Sequence, residues 1–286
     1  MDKKKRFAVQ ALSTLLHNAD FRGFFTGRIS QSPAKSVCVP GLNCYSCPAA
    51  TGACPIGSLQ SSLSAQKFRF PYYVLGLLIF FGAVAGRFIC GFLCPFGFLQ
   101  DLLYKIPFFK KIKSFKIDKY LRWIKYIILI VLVIILPLCV KLTPFFCKYL
   151  CPSGTLAGIL LAFSDTRLFD LFGTMFAWKA CVLGTIVLAS VLIFRPFCKF
   201  LCPLGAFYSL FNRAGVFRMS VDKSRCDGCS ACARTCKMGV NPAENPNALE
   251  CIRCGECINA CPHGALKYTT AFNKETPVRK EEKSAQ

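Results

Sequence analysis

Histidine is nearly missing from this chain, with two among 286 residues. Acidic side chains are also scarce, 14 against 36 lysines and arginines, and there are only two tryptophans and four methionines. Each scarcity excludes a kind of chemistry. His17 and His263 alone do not make a convincing bis-histidine haem site, and the Cys-x-x-Cys-His attachment pattern is absent. The few carboxylates form no paired acid–base set, and no nucleophile stands beside a base. These scarcities leave no constellation for a self-contained catalyst.

Apolar residues and sulfur are present in excess: 54% of the chain is apolar, the mean hydropathy is +0.45, and there are twenty cysteines. Disulfide-rich secreted scaffolds are small, polar and loop-rich, whereas this chain carries long hydrophobic runs. Metal binding is the better use for its thiols. The formal charge of +22 does not indicate nucleic acid, because the basic residues cluster beside apolar segments.

Three runs, 70–86, 123–140 and 175–194, approach the ~20 residues needed to cross a hydrocarbon core. Between the first two lie Lys105, Lys110, Lys111, Lys113, Lys116, Lys119, Arg122 and Lys125 against the single Asp118. The positive-inside rule puts that link in the cytoplasm. Residues 141–173 then fall outside, the chain after Arg195 falls inside, and Cys38 to Cys54 fall outside. This topology needs residues 7–25 to cross as well. They follow Lys3, Lys4, Lys5 and Arg6, and Ala8, Leu12, Leu15 and Ala19 recur at helical spacing, but His17, Asn18 and Asp20 interrupt the pattern. The segment reads as transmembrane or interfacial.

The C-terminal cysteines give the most specific signal. Cys226, Cys229, Cys232 and Cys236 are followed by Cys251, Cys254, Cys257, Cys261 and Pro262. This is the bacterial two-cluster ferredoxin spacing, in which the fourth cysteine of each run serves the other cluster. One [4Fe-4S] cluster is expected on Cys226, Cys229, Cys232 and Cys261, and a second on Cys251, Cys254, Cys257 and Cys236. Zinc on the same cysteines is the alternative, but two consecutive runs at this spacing are iron–sulfur usage. His263 reads as a surface residue or as a hydrogen-bonding tuner of a cluster.

A second motif repeats through the apolar part: Cys90-Gly-Phe-Leu-Cys94-Pro, Cys147-Lys-Tyr-Leu-Cys151-Pro and Cys198-Lys-Phe-Leu-Cys202-Pro, with a degenerate copy around Cys47 and Cys54-Pro55. Cysteines at i and i+4 face the same way on a helical turn, so two copies supply four ligands. The proline suits the first position of a new helix, whose N-terminus favours an anionic cluster. On the expected topology, Cys90, Cys94, Cys198 and Cys202 share the inner side and form one site. Cys147 and Cys151 share the outer side with two N-terminal cysteines, for which Cys47 and Cys54 are preferred. Cys38 and Cys44 are then left over, as replacement ligands, a disulfide pair, or ligands of another centre. Cys139 and Cys181 lack partner motifs and read as small apolar residues or acylation sites. The aromatics at Phe96 to Phe98 and Phe145-Phe146 are expected to face lipid. Two shorter apolar stretches, 95–106 and 152–163, read as interfacial or re-entrant half-helices.

The stretches GRFICGFLCPFG and RPFCKFLCPLGAFYSLF, with the C-terminal double ferredoxin, resemble the membrane polyferredoxins of the NapH and NosR membrane-domain type. The added cysteines at Cys147/Cys151 and in CVPGLNCYSCPAATGACPIGSLQ are similar to a subgroup from anaerobic bacteria. The resemblance implies electron transfer between membrane or cytoplasmic donors and an outer-face acceptor. Residues 1–30 are expected to form an N-terminal helix, 31–69 an outer cysteine-rich segment, 70–215 a helical multi-pass membrane domain of two pseudo-repeats with three to four transmembrane helices, 216–268 an α+β ferredoxin domain, and 269–286 a disordered tail. Expected cofactors are two ferredoxin clusters and one or two more in the membrane domain. Expected partners are the cytoplasmic membrane, a ferredoxin or flavoprotein (FMN-binding proteins included), and quinone, with no nucleic acid. A membrane redox sensor and a quinol-oxidising subunit are the competing readings.

Overall fold

The computed structural model describes residues 3–26, 28–29, 33–66, 70–107, 111–112, 117–164 and 173–272. The basic residues Lys110, Lys113 and Lys116, and nearly all of the expected tail, lie outside the described residues.

The described part of the chain is mainly helical until its last quarter. In order come α1 (Lys3–His17), α2 (Arg22–Thr26), α3 (Pro55–Leu63), α4 (Tyr72–Ala85), α5 (Phe88–Phe92) and α6 (Pro95–Tyr104). Then follow α7 (Asp118–Ile128), a π-helical stretch Leu129–Ile135, α8 (Leu136–Cys139), α9 (Phe145–Tyr149), α10 (Pro152–Ser164), α11 (Thr174–Leu192), α12 (Pro196–Phe200) and α13 (Pro203–Leu210). The ferredoxin part has β1 (Phe217–Val221) antiparallel to β2 (Leu266–Thr270), with Met219 opposite Tyr268, and α14 (Ala231–Thr235) and α15 (Glu256–Asn259) between them.

Among the described residues, two helices are long and apolar enough to cross a membrane: the continuous Asp118–Cys139, 22 residues, and Thr174–Leu192, 19 residues. The first apolar run falls short of its sequence-based expectation. It yields the 14-residue α4, because Gly86 enters the left-handed region at φ 52° and ends the helix before the buried Arg87. The two shorter apolar stretches are helical, as α6 and α10.

α1 is turned inside out relative to a helix in water. Arg6, Gln10 and Ser13 are its buried residues, while Leu12, Leu15 and Leu16 are each more than half exposed. Its polar side is tied to the core: Gln10 donates to the Gly91 carbonyl at 3.0 Å and Ser13 to the Leu93 carbonyl at 3.0 Å. Arg6 at its start bonds Glu256 of the ferredoxin part, and the His17 carbonyl at its end accepts from Thr51 and Asn43. The helix thus links the ferredoxin end of the molecule to the N-terminal cysteine segment, about 22 Å at 1.5 Å per residue.

Candidate metal centres

The three CxxxCP copies fold alike. Each first cysteine sits on a single helical turn, α5, α9 or α12, and each second cysteine precedes a proline that opens the next helix, α6, α10 or α13. In every copy the second cysteine's N–H reaches back five residues: Cys94 to Ile89, Cys151 to Phe146, Cys202 to Phe197. Its carbonyl then accepts the first bond of the new helix, from Phe98, Thr155 and Ala206. Cys94 and Cys202 cap their helices in an extended conformation, as does Cys54 before α3. The proline forces that break, since the residue before it is driven out of the helical region.

Cys90, Cys94, Cys198 and Cys202 are all buried and lie within mutual electrostatic reach. Two sulfurs already accept N–H donors: Cys198 from Gln100 Nε2 at 3.0 Å and Cys202 from the Gly205 amide at 3.3 Å. Two fully buried arginines cross over between the copies. Arg87, three before Cys90, donates to the Cys198 carbonyl at 3.0 Å, and Arg195, three before Cys198, donates to the Cys90 carbonyl.

In the same core, Cys147, Cys151, Cys54 and Cys44 fall within mutual reach. Of the expected pair, Cys54 stands in this group; Cys44 stands there too, and Cys47 lies within reach of Cys44. Lys35, almost fully buried, holds the loop by donating to the Tyr45 and Cys47 carbonyls, and Cys47 packs in a small cluster with Ala49, Ala50 and Ala157. Cys38 lies against Ser58, with 3.4 Å between its sulfur and the hydroxyl. Cys139 and Cys181 are exposed on their helices and join neither group. The aromatics depart from their expected orientation, because Phe96 and Phe146 are core residues, at 5% and 0% exposure.

Two glutamines that the sequence reading passed over complete the correspondence. Gln60 and Gln100 each stand six residues after the capping cysteine, in Cys54-Pro-Ile-Gly-Ser-Leu-Gln60 and Cys94-Pro-Phe-Gly-Phe-Leu-Gln100. Both are fully buried. Gln100 Oε1 accepts from the Phe197 amide at 3.2 Å, and Gln60 Oε1 accepts from the Cys147 amide at 3.4 Å. Each fixes the start of the partner copy. Gln60 also donates to the Leu132 carbonyl, inside the π-helical stretch whose wide turn frees carbonyls. The repeated Leu-Gln ending was the signal that could have revealed them.

In the ferredoxin part, the two expected quartets line separate spaces: Cys226, Cys229, Cys232 and Cys261 one, Cys236, Cys251, Cys254 and Cys257 the other. Burial pushes Cys251 up to about 11 and Cys257 up to about 12, with neighbouring thiols of the same quartet adding to the rise. His263 is half-exposed and pairs with Asp227 at 3.0 Å, a surface residue rather than a ligand.

This second quartet abuts the Cys90 motif. A Cβ added at Gly91 would stand 2.5 Å from the Ile252 carbonyl, so the two backbones touch. Arg87 also bonds Glu250 at 2.7 Å, and Glu250 accepts from Lys125 at 2.5 Å. Asp101 joins Arg195 and Arg6, and Arg6 continues to Glu256 and Lys237. Cations outnumber anions in this buried network, and the Arg87 Nε has no hydrogen-bond partner among the described residues. A surplus of buried positive charge fits anionic thiolate-bound iron.

The comparisons agree with this donor chemistry. A family model described as a 4Fe-4S binding domain matches residues 70–116, 124–168 and 174–222, each stretch containing one CxxxCP copy, and a further 4Fe-4S binding domain model matches 246–267. An uncharacterized protein of Methanocaldococcus jannaschii is 33% identical over 194 residues, 68% of either chain. The methylamine utilization ferredoxin-type protein MauN of Paracoccus denitrificans is 30% identical over 70% of this chain and 66% of its own. The ferredoxin-type protein NapH of Haemophilus influenzae is 24% identical over 74% and 73%. No solved structure matches the chain. Spacing, paired cysteine motifs and relatives converge: the chain belongs to the ferredoxin-type polyferredoxin family and is a [4Fe-4S] electron-transport protein.

Proposed function

We propose that the protein is a membrane-embedded electron conduit with four [4Fe-4S] clusters in a row. The row begins at the Cys226, Cys229, Cys232 and Cys261 quartet and passes to Cys236, Cys251, Cys254 and Cys257. It continues through Cys90, Cys94, Cys198 and Cys202 to Cys44, Cys54, Cys147 and Cys151. A bound cluster supplies one-electron redox chemistry; the chain's own residues supply thiolates, amide donors, buried cations and exclusion of water. The observation that supports the reading is the seam at Gly91 and Ile252, where the backbone of the Cys90 motif touches that of the Cys251 run. On this reading the ferredoxin domain lies in the cytoplasm, α7 to α8 and α11 cross the bilayer, and the Cys44 site serves a partner at the outer face.

Anaerobic iron and sulfide counting is the first test, with about sixteen irons per chain expected for four cubanes. A count of about eight would confine iron to the ferredoxin part and defeat the proposal. The second test uses proteoliposomes with reduced ferredoxin on one side. Electrons should reach an impermeant acceptor on the other side, and clusters that reduce without any transfer would end the conduit reading.

One cavity favours quinone as an exchange partner at the outer site. A space of about 380 Å³ beside Cys44 is lined by Leu15, Phe21, Phe98, Leu99 and Leu156, with Asn43 among its few polar groups. Its size and apolar lining suit an isoprenoid quinone headgroup. A quinone analogue should perturb the spectrum of the outer cluster and leave the ferredoxin signals unchanged.

A further inference from the structure

Tyr208 on α13 has no part in ligation and is completely buried. Its hydroxyl donates to the Pro40 carbonyl at 3.0 Å, in the N-terminal cysteine segment 168 residues away in sequence. Its phenol stands within electrostatic reach of Cys90, Cys94 and Cys202 of one buried group and of Cys54 of the other. The segment it holds is pressed onto the inner motif. A Cβ at Gly41 would lie 3.1 Å from the Cys94 Cα and 3.1 Å from the Pro95 ring.

We propose that Tyr208 is the positioning residue that sets the gap between the two buried CxxxCP quartets. The inference rests on the four-cluster reading above. Its aromatic body fills the space between the sites and keeps water out, and its hydroxyl ties the Pro40 turn to α13, the helix that Cys202 caps. The phenol keeps its proton and is neither oxidised nor reduced. Electrons pass from whichever of the two clusters is reduced to the one that is oxidised, with reduced ferredoxin as the source. Tunnelling depends steeply on separation, so a residue that fixes the separation fixes the rate of this step.

The test compares full-length wild type, Tyr208→Phe and Tyr208→Leu, each loaded with iron and reconstituted in liposomes. Tyr208→Phe keeps the ring and removes only the tie to Pro40. Three readouts are taken: iron per chain, magnetic coupling between the two membrane clusters by electron paramagnetic resonance, and the rate of electron arrival at the outer face. The proposal expects full iron in Tyr208→Phe, unchanged ferredoxin signals, weaker or more heterogeneous coupling between the membrane clusters, and arrival slowed several-fold. Tyr208→Leu should slow arrival further. Wild-type coupling and arrival in both variants at full iron would overturn it, as would loss of membrane iron in both, which would make Tyr208 an assembly residue only. A wild type with about eight irons would instead defeat the four-cluster reading itself.

Discussion

At the residue scale, the sharpest tests are substitutions of one atom or one methyl group. Gly91→Ala drives a methyl into the Ile252 carbonyl, backbone against backbone. It should cost about 1–3 kcal/mol and slow electron entry from the ferredoxin part, read by stopped-flow reduction. Gly76, in α4 with nothing within 4 Å of its added Cβ, is the control: Gly76→Ala should be neutral or stabilise by up to about 1 kcal/mol. Gln100→Leu removes the N–H donor to the Cys198 sulfur. A bond worth about 0.5–1.5 kcal/mol corresponds to roughly 20–60 mV for one electron, so that cluster's potential should fall by this order in a redox titration. Cys44→Ser should lower the iron count to about twelve, whereas Cys47→Ser should leave about sixteen.

The cysteine pair also shows where sequence reading stops. Spacing identified which motifs repeat, but Cys44 and Cys47 differ by less than one turn of chain, and spacing alone cannot rank them. What orders this loop in the fold is Lys35, which is buried against the Tyr45 and Cys47 carbonyls. Nothing in the local sequence announces that contact.

At the scale of elements, the repeated Cys-Pro junction was legible because it is written in local chemistry: a proline, an extended residue before it, and a new helix. The charge pattern was less legible. Lys125 and Arg122 counted toward a cytoplasmic loop, yet they sit on α7 with Lys125 fully buried on Glu250 and Arg122 paired with Asp118. Other buried charges distinguish the two CxxxCP sites. Arg87 and Arg195 flank the inner quartet, whereas Pro144 stands at the corresponding place before Cys147 and Lys179 is the nearby cation. Buried positive charge stabilises the more negative, reduced cluster, so the inner site should have the higher potential of the two. Redox titration of wild type and Cys44→Ser checks this, because the signal that disappears should be the lower one.

At the scale of the molecule, the ferredoxin part is a fixture and not a tethered shuttle. Asn212 donates to the Ala248 and Cys251 carbonyls, Arg253 donates to the Ala85 and Asn212 carbonyls, and Glu250 is the shared anion of Arg87 and Lys125. Glu250→Gln leaves two buried cations without their counter-charge and should cost about 3–5 kcal/mol. Hydrogen exchange should show loss of protection in 248–253 before β1 and β2.

The raised thiols give the iron-free protein a pH dependence of definite sign. With Cys251 and Cys257 lifted from 9.0 to about 11 and about 12 by burial, their contribution to stability is complete below pH 9 and is lost as pH rises through those values. Iron binding runs the other way, since ligation requires the thiolate. Reconstitution of the iron-free protein should therefore release protons and become more favourable from pH 7 to pH 9, measured by cluster absorbance at fixed iron and sulfide.

The crossed arginines carry a consequence for how the molecule is made. Arg87 waits for the Cys198 carbonyl, 111 residues further along, and then for Glu250, 163 residues further. A ribosome that has passed Cys94 has produced half of this pocket, with two thiols and an unmatched cation, and must add about a hundred residues before the other half arrives. On the four-cluster reading, iron delivery to this site is a late event, after synthesis has reached the C-terminal third, and a truncated chain ending before Pro196 would expose paired thiols that no cluster can close.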